Sequence, residues 1–229
     1  MDNKLEMAMD EIALIKRVIE KTQQDFSRIS AYFIWIGIVN LAVWLLEEVC
    51  YLLWNKLGYS LMVMTVFGWA GHIMRLIGYI ALFLYFYRKV RKSGNEISEG
   101  MVKIWGIVLI ASRILLYLYI GLIPAGNNDK IAILYRCREL IEVLPVIVAL
   151  LMTGILTKRN VITFLTAVYS IVYFVLFMSM KEVPYGTWGG TGTRTSASRI
   201  CIQYLMSLGM IGLGVYLRWE GNRGKITAK

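Results

Sequence analysis

The chain has 229 residues, 58% of them apolar and 17% charged, with a mean hydropathy of +0.59 and a formal charge of +10. Soluble domains carry about 45–50% apolar and about 25% charged residues, so this composition argues against a disordered chain, a disulfide-stapled secreted scaffold and an ordinary soluble enzyme. It points instead to an all-α integral membrane protein.

The first segment, Asn3 to Arg28, is amphipathic. Leu5, Met9, Ile12, Ile15 and Ile19 follow helical three-to-four spacing, and Leu14 and Val18 widen the apolar arc. Its polar face mixes Asp10, Glu11 and Glu20 with Lys16, Arg17 and Lys21. It is too polar for a signal peptide. Residues 1–30 are therefore expected to form a cytoplasmic helix at the membrane interface, with residues 3–28 available to a membrane or cytoplasmic protein partner.

Six apolar stretches follow, each near the twenty residues a helix needs to cross the hydrocarbon core. They run from Ala31 to Trp54, Tyr59 to Tyr87, Ile104 to Ile123, Ile131 to Leu156, Val161 to Met180 and Ile200 to Leu217. Residues 31–218 form the expected six-span bundle and 219–229 a cytoplasmic tail. Sixteen Lys and Arg fall on the side of the N-terminus and five on the other. Basic residues near span ends are retained in the cytoplasm, so both termini are placed inside, in a membrane of the bacterial cytoplasmic type. This distribution makes most of the excess charge a topology signal rather than a nucleic-acid surface.

Ionisable residues inside the spans are the informative ones, because a charge at a helix centre costs about 2.5–3.5 kcal/mol on insertion scales. Span one holds Glu47 and Glu48, span two His72 and Arg75, span three Arg113, and span four Arg136, Arg138, Glu139 and Glu142. Arg138 with Glu142, and Arg136 with Glu139, have the spacing of pairs within one helix. Glu47 and Glu48 are then the expected cross-helix partners of Arg75 and Arg113. Gly68, Gly71, Arg75 and Gly78 fall within about 80° of one another, which puts Arg75 on a small-residue stripe where a neighbour can approach. Gly106, Arg113, Tyr117 and Ile120 share a face in span three, so Tyr117 is a candidate partner for Arg113. Pro145 favours a kink beyond Glu142.

Spans five and six carry no charge by these bounds. Thr163, Thr166, Ala167 and Ser170, then Ser207, Gly209, Gly212 and Gly214, suit close helix packing there. The connector from Lys181 to Arg199, rich in Gly, Thr and Ser, reads as a flexible loop or a lid. Cys50, Cys137 and Cys201 are expected to be buried small hydrophobes, and no cluster has metal-ligand spacing.

Glu47-Glu48 resembles the glutamate pair of intramembrane CAAX-type proteases, but Leu52 stands where that motif has arginine and His72 is the only histidine. Gly71-His72 resembles the histidine region of six-span cysteine endopeptidases that process quorum-sensing peptides, yet Tyr79 occupies the nucleophile position. The run Gly189-Gly190-Thr191-Gly192-Thr193-Arg194 lacks the lysine and spacing of a phosphate loop. In size, six-span topology and orientation the chain resembles the substrate-binding S-components of energy-coupling-factor vitamin importers. The alanine-x-x-x-alanine contact of that family is missing, since Ala31 is followed at that spacing by Trp35.

The expected function is binding or transport of a small anionic or zwitterionic ligand without catalysis or cofactor. Arg75, Arg113 and Arg136 would contact the anion, with Glu47, Glu48, Glu139 and Glu142 as balancing charges and His72 and Tyr117 beside them. The rivals are a scaffold or regulatory subunit with structural ion pairs, an S-component-like binding module, and, third, an enzyme.

Overall fold

The computed structural model describes residues 28–50, 61–92, 95–122, 128–179, 182–184 and 194–226. The expected amphipathic segment up to residue 27 lies outside the described residues. Six helical rods are long and apolar enough to cross a membrane. They are α1 (Arg28–Cys50), α2 (Leu61–Arg91), α3 (Glu96–Leu122), α4 (Asn128–Leu156), α5 (Asn160–Met178) and a composite sixth. The sixth comprises α6 (Ala197–Tyr204), one π-helical turn (Leu205–Gly209) and α7 (Met210–Ile226).

The rods form a ring in chain order. Helices α2 to α6 each pack against the next, and α7 returns to α1 to close it. Two glycines make that closure possible. A Cβ at Gly37 would lie 2.6 Å from the Ser207 carbonyl, and one at Gly214 would lie 2.6 Å from the Ser30 carbonyl. Only glycine permits backbones this close, and the order of the contacts, Ser30 beside Gly214 and Gly37 beside Ser207, makes α1 and the sixth rod antiparallel. Gly71 and Gly78 of α2 similarly face Val43 and Val39 of α1.

The core of the ring is aromatic at one end. Tyr32, Phe33 and Ile36 of α1 are buried against Phe86 of α2 and Trp105 of α3, with Phe33 edge-on to Trp105 at 5.2 Å and Tyr32 5.3 Å from Phe86. The Trp105 indole donates to Thr153 Oγ1 of α4 at 2.8 Å, and Thr153 donates to the Ala149 carbonyl at 2.7 Å. The indole and the hydroxyl thus find partners without water. Outward faces carry exposed large apolar side chains on every rod, among them Ile77, Ile107, Val148, Phe164, Ile171 and Val215. So much exposed apolar surface is expected of a protein solvated by lipid, and the molecule is an integral, multi-pass membrane protein.

Several helix ends differ from those expected. Helix α3 begins at Glu96, well before Ile104, because Asn95 caps it: its side-chain oxygen accepts from the Ile97 and Ser98 amides at 3.1 and 3.4 Å, and Glu96 and Glu99 complement the first turn. Helix α2 continues past Tyr87 to Arg91 and has 31 residues, roughly 46 Å at 1.5 Å per residue, longer than the hydrocarbon is thick. Helix α6 starts at Ala197 rather than Ile200, with the Ser196 hydroxyl accepting from the Arg199 amide at 3.3 Å. The expected tail is helical as far as Ile226, with Glu220 paired to Arg159 at 3.1 Å.

The two described ends of the connector between α5 and α6 pair with each other. Glu182–Pro184 and Arg194–Ser196 form a short antiparallel ladder with Val183 opposite Thr195. Cys50 and Cys201 are only half-buried and Cys137 is exposed, so these thiols sit on outward or intermediate faces where an apolar side chain of modest size suffices. Helix α4 passes through Pro145 without interruption.

Candidate functional site

The polar groups gather in one place inside the ring. A cavity of about 60 Å³ is lined by Asn40 and Glu47 of α1, His72 and Arg75 of α2, Arg113 of α3, Arg138 and Glu142 of α4, and Arg199, Ile202, Gln203 and Met206 of the sixth rod. Every rod but α5 contributes. Since one water takes about 10–15 Å³ by this measure, the cavity has room for roughly four to six waters or as many ligand atoms.

Two ion pairs cross between helices here. Arg75 Nη2 donates to Glu47 Oε2 at 2.9 Å, joining α2 to α1, and Arg113 Nη1 donates to Glu142 Oε1 at 2.9 Å, joining α3 to α4. The first follows from the glycine stripe: a Cβ at Gly71 would be 3.0 Å from Glu47 Oε1, so the helices meet closely enough for Arg75, one turn on, to reach the carboxylate. Below it the Tyr79 hydroxyl donates to Asn40 Oδ1 at 2.6 Å while Asn40 Nδ2 donates to the Ile36 carbonyl at 2.8 Å. This buried bond fixes the floor of the cavity.

The expected partners of the remaining charges are corrected by the geometry. Arg113 pairs with Glu142 of the adjoining α4, not with Glu47 or Glu48, because α3 packs closely along α4 and Glu47 is taken up by Arg75. Glu48 accepts from the Trp44 indole at 3.3 Å, one turn back on its own helix, and does not line the cavity. Glu139 accepts from the hydroxyls of Ser196, by a short contact, and Ser198, at 2.6 Å, which moor the start of α6 to α4. Tyr117 does not bond Arg113: its hydroxyl is buried without a partner, and its ring lies 6.1 Å from that of His72. The Arg136 side chain lies outside the described atoms.

Three buried polar atoms in this neighbourhood have no protein partner: His72 Nδ1, Arg75 Nε and the Tyr117 hydroxyl. Among the described residues the other buried side-chain atoms without a partner are the Tyr169 and Tyr173 hydroxyls, so three of five such atoms lie near the cavity. Arg75, Arg113, Arg138 and Arg199 face Glu47 and Glu142, four guanidinium groups against two carboxylates. Arg113 is buried and Arg75 largely so, whereas Arg199 is exposed at the rim.

Asn40, Arg138, Arg199, Gln203 and Met206 are lining residues not anticipated as ligand contacts. Asn40 had a signal, an amide inside the apolar run Ile36 to Val43. Arg199 did not, because it precedes the apolar stretch and enters the cavity only through the cap at Ser196. The sixth rod is therefore not a charge-free packing helix. Its π-helical turn supplies Met206 to the lining, and such turns recur at functional sites.

No protein-family model matches the chain, and neither a curated protein nor a solved structure shows significant similarity to it. The resemblance to vitamin-importer S-components therefore stands on topology alone.

Proposed function

We propose that this membrane protein binds a small anionic or zwitterionic ligand in the arginine-lined cavity, as a binding or transport protein rather than an enzyme. The observation that carries this reading is the excess of four arginines over two glutamates around a space large enough for a small solute. Arg75 and Arg113 are held by Glu47 and Glu142, which keeps their charges tolerable when the cavity contains only water. Arg138 and Arg199 add two further guanidinium groups to the lining. The lining offers donors and positive charge rather than a nucleophile beside a base, which favours binding over covalent chemistry.

The basic bias supports cytoplasmic termini, an orientation that would put the cavity, near the end of α1 and the beginning of α6, in the outer half. Residues 3–28 remain the proposed contact for a protein partner. A scaffold reading draws on the two cross-helix pairs, which would fix helix register without any ligand. The cavity touching both Arg75 and Arg113 favours the first reading.

Native mass spectrometry of the gently purified full chain tests it. The expected spectrum contains a retained small anion that disappears in the variant Arg138→Gln/Arg199→Gln, while that variant keeps the wild-type fold. Bare chains alone for both proteins, each at its own sequence mass, under conditions that preserve bound lipid would favour the scaffold.

A further inference from the structure

A second cationic concavity lies far from the cavity, at the opposite end of α1 and α2. It is a groove of about 660 Å³, lined by Arg28 at the start of α1 and by Leu84, Tyr85, Arg88, Lys89 and Lys92 at the end of α2. No carboxylate is among the described residues that line it. Its two halves differ in chemistry. Leu84 and Tyr85 are exposed apolar surface within the apolar length of α2, whereas the basic residues follow within the next two turns, at the end of the span Trp69–Arg91 and just beyond it. The Lys89 ammonium lies 5.5 Å from the centre of the Tyr85 ring, within cation–π range, so the aromatic belt and the charged belt are joined in one surface.

We infer that this groove is a binding site for one anionic phospholipid, with the phosphodiester among Arg28, Arg88, Lys89 and Lys92 and an acyl chain along Leu84 and Tyr85. The amphipathic order of the groove, apolar wall then cations along the membrane normal, matches the order of chain and phosphate in a lipid. A soluble anion would use the cations alone. A protein helix would leave the long apolar wall in contact with lipid that already covers it. Basic pockets between spans at a membrane surface are recognised sites for anionic headgroups, each cation near the surface contributing about a fivefold preference.

Full-length protein in nanodiscs containing equal amounts of dioleoylphosphatidylglycerol and dioleoylphosphatidylcholine provides the test, with lipid retained on the protein counted by native mass spectrometry. The wild type is expected to retain phosphatidylglycerol preferentially, and Arg88→Gln/Lys89→Gln/Lys92→Gln to lose that preference by at least about tenfold. Exchanging the cations for one another, Arg88→Lys/Lys89→Arg/Lys92→Arg, is expected to preserve it. So is Lys103→Gln/Lys158→Gln/Arg218→Gln, which removes equal charge elsewhere. If the triple glutamine variant does not fold, Lys92→Gln alone, at the exposed end of α2, should still halve the preference. Equal loss in the control variant would reduce the effect to overall charge and overturn the site. Absence of any preference in the wild type, as when the chain's own preceding segment fills the groove, would overturn it too, and displacement of the retained lipid by inorganic phosphate would replace it with a soluble-anion site.

Discussion

Arg75 and Arg113 make ion pairs of the same length, 2.9 Å, but in different surroundings: the Arg113–Glu142 side chains are 8% and 19% exposed, and those of Arg75 and Glu47 are 12% and 28% exposed. Removing one partner from a buried pair costs about 3–5 kcal/mol, and partial exposure lowers that figure. Arg113→Ala should therefore destabilise the protein by about 3–5 kcal/mol and Arg75→Ala by less, in unfolding of the detergent-solubilised chain. Burial, and not position on a glycine stripe, sets this order. Combining Arg113→Ala with Glu142→Ala should recover about 1–3 kcal/mol of the summed losses; simple additivity would remove the pair from the account. The Glu47–Arg75 contact was legible in the chain because Gly71 and Gly78 mark which face of α2 meets a neighbour. The Arg113–Glu142 contact was not, because spacing along a helix gives depth without saying which of several helices lies opposite.

At the level of elements, the turn from α4 to α5 shows how local chemistry and packing divide the work. Lys158 adopts φ 54°, the left-handed region, while its amide donates to the Ile155 carbonyl and the Arg159 amide to the Gly154 carbonyl at 2.9 Å. This is the helix-ending pattern usually completed by glycine. Lys158→Gly should stabilise the protein by about 0.5–1 kcal/mol, relief of left-handed strain exceeding the added chain entropy, and a lowered unfolding temperature would contradict that. The closure of the ring has the opposite sensitivity. Gly214→Val would push a side chain into Ile34 and the Ser30 carbonyl, at an expected cost of about 1–3 kcal/mol in the same measurement. Apolar periodicity located all six rods but not their ends, since α3 and α6 start at caps lying outside the apolar runs. The entry of Arg199 into the cavity was missed for that reason, and the ladder beside it was missed because three-residue strands leave no periodic signal.

For the whole molecule, composition sufficed to place the chain in a membrane, and the distribution of Lys and Arg predicts its orientation. A cysteine introduced at Gly94 of an otherwise cysteine-free variant should resist an impermeant thiol reagent in intact cells and react once the membrane is opened. Labelling from outside would invert the topology. The central claim is that the ring of helices encloses an anion site. Unfolding temperature measured at constant ionic strength against phosphate, sulfate and succinate tests it most directly, because a ligand at a hundred times its Kd adds about 2.7 kcal/mol to the stability of the state it binds. The account predicts that at least one of these anions stabilises the wild type, that Arg138→Gln/Arg199→Gln abolishes the shift, and that Lys158→Gln/Arg218→Gln leaves it intact. An equal shift in the cavity variant, or none from any anion in the wild type, would contradict it.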